Sequence, residues 1–341
     1  MRACERNDAA ARWLGLLLLL VLTAGSAGCV IVVGSPLGFL GRGDRALQET
    51  TVQGEGRDKI LLLNVSGVIS DVPTRRAFGL VEEESTVGRL EAELAKARED
   101  GRVRALVVHV QSPGGGVTAS DVLYGTLRRF AQEEEVPIVA ALGNVAASGG
   151  YYTALAAERI VAHPTTVTGS IGVIMMSLNV QGLLTKLGVE DATMKAGEHK
   201  DLLSPLRETD PAERAIVQDV LNTMHGRFVS IVRERRPGLA TERLATITDG
   251  RVFDARAALD LGLIDAIGDL PDAIDLAKEL AQLEKARVVR YGREGEAVET
   301  LHAGSVSGVR TPLLLALLAG GGPEVGPRFF YLWAPGVGLT R

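Results

Sequence analysis

Ser148 lies in Asn144-Val145-Ala146-Ala147-Ser148-Gly149-Gly150-Tyr151-Tyr152, between a run that reads as a strand and one that reads as a helix. A serine placed there carries its hydroxyl at a helix N-terminus, where free backbone N–H groups can stabilise a developing oxyanion. The small neighbours leave room for a substrate backbone. The plain alternative is a helix-capping serine with glycines for tight packing. The surrounding sequence is not G-x-S-x-G, so the nucleophile elbow of the α/β-hydrolases is absent. Ser112-Pro113-Gly114-Gly115-Gly116 ends a second apolar run just ahead of a helix, and its several N–H groups could form half of an oxyanion hole. A phosphate-binding P-loop would need Gly-Lys-Ser or Gly-Lys-Thr, which is missing.

A serine nucleophile needs a base. The histidines, His109, His163, His199, His225 and His302, are scattered singly, so none stands out as that base and no metal-binding pair is formed. Lys200, in Gly197-Glu198-His199-Lys200-Asp201 ahead of Leu203-Ser204-Pro205, is the other option. A free lysine has a pKa of about 10.4, so service near neutral pH needs a downward shift of roughly three units, which burial can supply. Ser170, in Thr168-Gly169-Ser170-Ile171-Gly172, could orient the amine through its hydroxyl. By type alone, Lys200 also reads as a solvated surface lysine and Ser170 as a turn serine.

The elements that must hold these residues alternate strand and helix. Lys59–Ser70, Val103–Gln111, Pro137–Gly143 and Arg159–His163 are apolar strand-like runs, and Glu84–Asp100, Val117–Glu134 and Ser148–Glu158 read as helices between or after them. Ser112–Gly116 is expected to break the second strand. This alternation predicts a layered α/β domain with a mostly parallel sheet. A long helix is expected over Asp210–Arg236, with Asp210 as its cap and Pro211 in its first turn, stopped by Pro237-Gly238. Shorter helices follow near Thr241–Thr246, Ala255–Leu261 and Pro271–Glu284.

The 341 residues carry 40 glycines and a net charge of −5, with no long Lys/Arg run. The glycines favour tight turns and close backbone approaches, and the charge argues against nucleic acid as a partner. Both cysteines, Cys4 and Cys29, precede the folded body, which therefore has neither a disulfide nor a thiolate metal site. No metal and no cofactor are expected. Between Arg12 and Arg42 there is no charge, and Leu14–Leu22 is almost continuous leucine. This segment, residues 1–41, is either an uncleaved membrane anchor or a lipoprotein signal with Cys29 as the acylated residue. Either reading places the remainder of the chain at a membrane, with the catalytic part extracytoplasmic. Residues 42–58 read as a linker, 59–284 as the catalytic domain and 285–341 as a C-terminal extension.

Taken together, Ser-Pro-Gly-Gly, Ala-Ala-Ser-Gly-Gly-Tyr-Tyr, Thr-Gly-Ser-Ile-Gly-Val and Gly-x-His-Lys-Asp, in that order, resemble the bacterial signal peptide peptidase A family in its short form. The resemblance covers roughly residues 59–284. It implies a serine peptidase with a ClpP/crotonase-like α/β fold, in which Ser148 is the nucleophile, Lys200 the general base and Ser170 the residue that positions the lysine amine. Gly114 or Gly115, together with Gly149, would donate to the oxyanion. It also implies a ring-shaped homo-oligomer whose dyad is completed between neighbouring subunits, acting on remnant signal peptides and other short hydrophobic or unfolded segments. The alternatives are an acyl-CoA hydratase or isomerase of the related crotonase fold, and an inactive membrane scaffold.

Beyond the catalytic domain, Leu313–Ala319 and Phe329-Phe330-Tyr331-Leu332-Trp333 are apolar clusters separated by Gly320–Pro327. The aromatic cluster must bury itself against its own domain, a neighbouring subunit, the membrane, or the peptide groove, where it would mimic a hydrophobic substrate.

Overall fold

The computed structural model describes residues 46–76, 81–239, 241–293 and 329–333. The expected anchor over 1–41 and the Leu313–Ala319 cluster lie outside the described residues. Among the described residues, no helix is long and apolar enough to cross a membrane. The chain divides into Met1–Ala46 and Leu47–Arg341, and every element below belongs to the second unit.

The chain enters through β1 (Gln48–Gln53), β2 (Lys59–Ile69) and a small hairpin of β3 (Thr74–Arg76) and β4 (Val81–Glu83). It continues through α1 (Thr86–Glu99), β5 (Val103–Gly116), α2 (Val117–Glu133), β6 (Ile138–Ala147), α3 (Gly149–Ala154) and β7 (Arg159–Ala162). Next come β8 (Val167–Gly169), β9 (Ile174–Met175), α4 (Gln181–Leu187), α5 (Pro211–Arg235) and α6 (Thr241–Ile247). The last elements are β10 (Val252–Asp254), α7 (Ala255–Asp260), β11 (Ala266–Ile267), α8 (Leu270–Leu280), β12 (Arg287–Gly292) and β13 (Phe329–Leu332).

The main sheet runs β1-β12-β2-β5-β6-β7-β11, and all its neighbours from β12 to β11 are parallel. The fold is therefore mixed α/β with a mostly parallel sheet, and helical crossovers join its central strands, as parallel pairing requires. β2 reads Lys-Ile-Leu-Leu-Leu-Asn-Val because both of its faces are covered. Leu61, Leu63 and Val65 pack with α1 and α2 through Leu90, Leu94, Leu123 and Leu127. Ile60 and Leu62 face the other way, onto Leu270, Ala273, Ile274 and Ala277 of α8. Helix starts follow local chemistry: Ser85 Oγ accepts the Gly88 N–H at α1, and the Asp210 carboxylate accepts the Ala212 N–H at α5.

Four differences from the sequence expectation bear on the site. Ser112–Gly116 does not break β5; it stays extended because β2 and β13 pair with it. β6 runs on to Ala147, where β8 pairs with its last three residues. The helix after Ser148 is short, Gly149–Ala154. β1 falls within the stretch expected as a linker, and β12 and β13 within the expected extension, yet all three join the main sheet.

At the edge, Lys59 sits buried between Glu49 of β1, 2.6 Å from its amine, and Asp100 at the end of α1. Burial pushes the Asp100 carboxyl upward, but the Lys59 ammonium and the Arg102 N–H outweigh it and hold its pKa below the usual value. Lys59→Ala would leave two carboxylates facing each other and is expected to cost about 3 kcal/mol. Urea unfolding monitored by circular dichroism checks this, and a loss below about 0.5 kcal/mol, the size of an ordinary surface effect, would show that the amine does not hold this edge together.

Candidate active site

Ser148 stands where β6 ends and α3 begins. Its backbone has φ 53° and ψ −117°, outside the regions an L-residue normally occupies. Such a conformation costs of order 1–3 kcal/mol and persists only where the surroundings impose it. Here the Ser148 N–H donates to the Gly169 carbonyl at 2.7 Å, and its own carbonyl accepts from the Tyr152 N–H at 2.8 Å. The side chain is turned inward: Ser148 is 1% exposed, and its Oγ is buried without a hydrogen-bond partner. A buried hydroxyl that forgoes its bonds is uncommon and calls for an explanation.

The residues after Ser148 follow from close packing. A Cβ on Gly149 would lie 2.4 Å from the Ser120 hydroxyl, and one on Gly150 would lie 2.7 Å from the Ser112 carbonyl oxygen. Glycine at both positions lets α3 press onto β5 and α2. Tyr151 anchors the far side, its phenol donating to the Leu263 carbonyl at 2.7 Å. Tyr152 donates to the Asp121 carboxylate, and burial together with that carboxylate pushes its phenol well above the ordinary tyrosine pKa. It stays a neutral donor.

Across from Ser148, the glycines of β5 present their backbone. Ser112 Oγ donates to the Gly67 carbonyl at 2.6 Å and accepts the Gly114 N–H at 3.0 Å. The Gly114 amide is therefore engaged. The Gly115 amide nitrogen lies 3.1 Å from where a Gly149 Cβ would be, which brings the second pair of expected donors, Gly115 and Gly149, together. Sequence reasoning gave no role to the Ser112 hydroxyl, which holds the Gly114 amide, or to Ser120, whose hydroxyl packs against Gly149.

Ser170 occupies the matching position on the neighbouring strand. Ala147 pairs with Gly169, so the next residues, Ser148 and Ser170, are adjacent, and Ser170 also has positive φ, 52°. Its N–H donates to the Arg251 carbonyl at 2.7 Å. Ser170 opens onto a cleft lined by Ile174, Met175, Asp249, Leu332 and Trp333.

Lys200 is elsewhere. It is exposed, in a turn closed by its N–H to the Gly197 carbonyl, and no hydrogen bond joins its amine to Ser148 or Ser170 within one chain. The turn is braced by its neighbour: the Asp201 carboxylate pairs with Lys195 and Arg207, each at 2.6 Å, and Arg207 also pairs with Glu213 of α5. The Arg207 guanidinium, then Lys195, hold Asp201 far below the usual carboxylate range. Around the turn, Leu178, Leu183, Leu187, Val189 and Met194 are exposed. The structure thus brings Ser148, Ser170, Gly115 and Gly149 together, while Lys200 is exposed and makes no hydrogen bond to the Ser148 hydroxyl. The described histidines offer no base to Ser148, whose hydroxyl has no partner; His225, for example, bonds the Thr248 carbonyl and His163 the Thr165 hydroxyl.

Comparison with known proteins bears on this arrangement. Residues 130–284 match the model of peptidase family S49. Over 244 residues the chain is 37% identical to the Enterococcus faecium protein named "Putative signal peptide peptidase SppA", a match covering 72% of this chain and 70% of that one. Over 228 residues it is 32% identical to Protease 4 of Salmonella typhi, covering 67% of this chain and 36% of that one. These matches favour a peptidase over an acyl-CoA hydratase or isomerase. The chain belongs to the signal peptide peptidase A family, within peptidase family S49, and is a serine peptidase.

Proposed function

We propose that this serine peptidase is a membrane-associated endopeptidase that cuts remnant signal peptides and other short hydrophobic or unfolded segments, with Ser148 as nucleophile and Lys200 as general base. The observation that carries the assignment is the Ser148 hydroxyl, buried and without a partner on a strained backbone beside the Gly115 and Gly149 amides. Nothing in the packing of one chain accounts for it, whereas a hydroxyl reserved for a base and a substrate carbonyl does.

In this reading the catalytic domain has the ClpP-like layered fold, the amino end holds it at the membrane, and the subunits form a ring. Each Lys200 is supplied to a neighbour's Ser148. Two features support the ring: the exposed Lys200 is not hydrogen-bonded to the buried Ser148 hydroxyl of its own chain, and the segment carrying it exposes a run of large apolar side chains that one chain leaves uncovered.

The chemistry then proceeds by acyl transfer. Ser148 Oγ attacks the scissile carbonyl carbon while its proton passes to the neutral Lys200 amine, which Ser170 orients. The carbonyl oxygen becomes an oxyanion facing the Gly115 and Gly149 N–H groups. Loss of one such donor typically costs 10²–10³ in rate, about 3–4 kcal/mol. Collapse breaks the C–N bond, and the Lys200 ammonium protonates the departing amine. Water, deprotonated by the same lysine, releases the acyl group from Ser148.

Ser148→Ala and Lys200→Ala should each lower cleavage of a synthetic signal-sequence peptide by roughly 10³-fold or more, because members of a cooperating pair fail together. Cleavage followed by mass spectrometry on folded variants measures this. Turnover within tenfold of wild type by Lys200→Ala would move the base to another residue.

Mixing the two inactive variants tests the exchange between subunits. If Ser148→Ala and Lys200→Ala subunits are unfolded and refolded together, random assembly into rings should restore about one quarter of the sites. Co-assembled rings that stay inactive would place the dyad within one chain.

A further inference from the structure

β5 does not run level with the strands on either side of it. Beside β2, Ser66 pairs with Gln111 and Val68 with Gly114, so β5 takes three steps where β2 takes two. The extra residue makes a bulge at Ser112-Pro113, opposite Gly67. Beside β6, Val110 pairs with Leu142 and Ser112 with Ala146, so the same stretch is short against that neighbour. Ser112 thus stands where both ladders change register. Proline has no N–H to give to a ladder at such a point, and a carbonyl buried there without a donor would be costly.

The Ser112 hydroxyl closes the gap. Ser112 is fully buried, and its Oγ donates to the Gly67 carbonyl at 2.6 Å while accepting the Gly114 N–H at 3.0 Å. Both partners have left-handed backbone, φ 71° at Gly67 and φ 101° at Gly114, a region that glycine enters and leaves freely. A bulge flanked by two such glycines has many alternative shapes, and one hydroxyl bonded to both removes them. What it fixes lies at the site. The Ser112 carbonyl oxygen would be 2.7 Å from a Cβ on Gly150, and the Gly149 amide nitrogen would be 2.7 Å from one on Gly114. One residue on, Gly115 is held so close to β2 that its Cβ would fall 2.0 Å from the Ile69 carbonyl oxygen, and its amide nitrogen stands beside Gly149.

We propose that Ser112 is a positioning residue of the oxyanion hole: clamped between the Gly67 carbonyl and the Gly114 amide, its hydroxyl sets the bulge in β5 and, through the bulge, the direction of the Gly115 N–H. The proposal rests on the assignment of Ser148 as nucleophile and of Gly115 and Gly149 as donors to the oxyanion. Both bonds of the hydroxyl are to backbone, so it acts through the glycines and not on the substrate. An oxyanion donor matters most when the carbonyl oxygen carries charge, so a donor that points the wrong way lowers kcat and spares KM. Losing a donor outright costs 10²–10³ in rate; a misdirected one loses part of that, about 30-fold.

The test uses the assembled full chain. Ser112→Ala, which removes the hydroxyl and little volume, should lower kcat about 30-fold and leave KM within about twofold, whereas Ser112→Thr, which keeps the hydroxyl, should stay within about threefold of wild type in kcat. A merely structural loss would not separate ground state from transition state. A peptide boronate, whose tetrahedral serine adduct places an oxygen in the hole, should therefore bind Ser112→Ala about 30-fold more weakly than wild type. An uncleaved fluorescent substrate peptide should bind Ser148→Ala and the Ser148→Ala, Ser112→Ala double variant equally, as read by anisotropy. A folded Ser112→Ala with kcat within about threefold of wild type, a folded Ser112→Thr as slow as Ser112→Ala, or equal weakening of boronate and peptide would overturn the proposal. If Ser112→Ala does not fold, Ser112→Cys, whose thiol is a weak donor, carries the same comparison with a drop of about fivefold. Boronate affinity lost in Ser148→Ala but kept in Ser112→Ala would sink the role of Ser112 alone. Boronate affinity unchanged by Ser148→Ala would sink the nucleophile assignment and the proposal with it.

Discussion

The backbone of Ser148, held at φ 53° and ψ −117°, is the constraint on which the rest of the site depends. An isolated chain would relax it. Here β8 fixes the Ser148 N–H from one side and the first turn of α3 fixes its carbonyl from the other. Each hydrogen bond contributes roughly 1 kcal/mol, comparable with the strain it holds. The remainder comes from packing: α3 can sit so close to β5 only because Gly149 and Gly150 lack side chains, and it stays there because Tyr151 and Tyr152 are driven into the core on either side. A parallel sheet suits this task, since neighbouring strands end at the same edge. That is why Ser148 and Ser170, one residue beyond a paired Ala147 and Gly169, emerge side by side with nearly identical φ.

Much of this was legible in the sequence, for physical reasons that can be named. β2, β5 and β6 are buried on both faces, so they read as unbroken apolar runs, and the helices between them show a 3.6-residue period in residues such as Val87, Leu90, Leu94 and Ala97. The run of small residues around Ser148 is distinctive in the sequence because Gly149 and Gly150 have no room for a side chain. Ser112–Gly116 was misread as a break, since proline and three glycines favour turns in isolation; the partners that keep them extended lie in β2 and β13. The burial of Tyr331 was expected, but its partners in the ring cluster with Tyr124, Tyr152 and Phe228 were not legible. The members of that cluster, at positions 124, 152, 228 and 331, meet only after four elements have folded together.

Lys200 marks the limit of what one chain contains. Its sequence neighbourhood is distinctive, and the structure gives that neighbourhood a rigid frame, with Asp201 clamped between Lys195 and Arg207. The frame holds the turn with Lys200 exposed and not hydrogen-bonded to its own Ser148 hydroxyl. The proposed ring would account for the unpartnered Ser148 hydroxyl and the exposed apolar segment with one contact, and would make catalysis contingent on assembly.

The central claim is that the Ser148 hydroxyl is reserved for chemistry and activated by Lys200. Labelling the assembled protein with a fluorophosphonate probe and mapping the adduct by peptide mass spectrometry tests it most directly. The account predicts one phosphonyl adduct on Ser148 in wild type and at least a hundredfold slower labelling in Lys200→Ala. An adduct on another residue, or labelling of Ser148 at the same rate without Lys200, would contradict it.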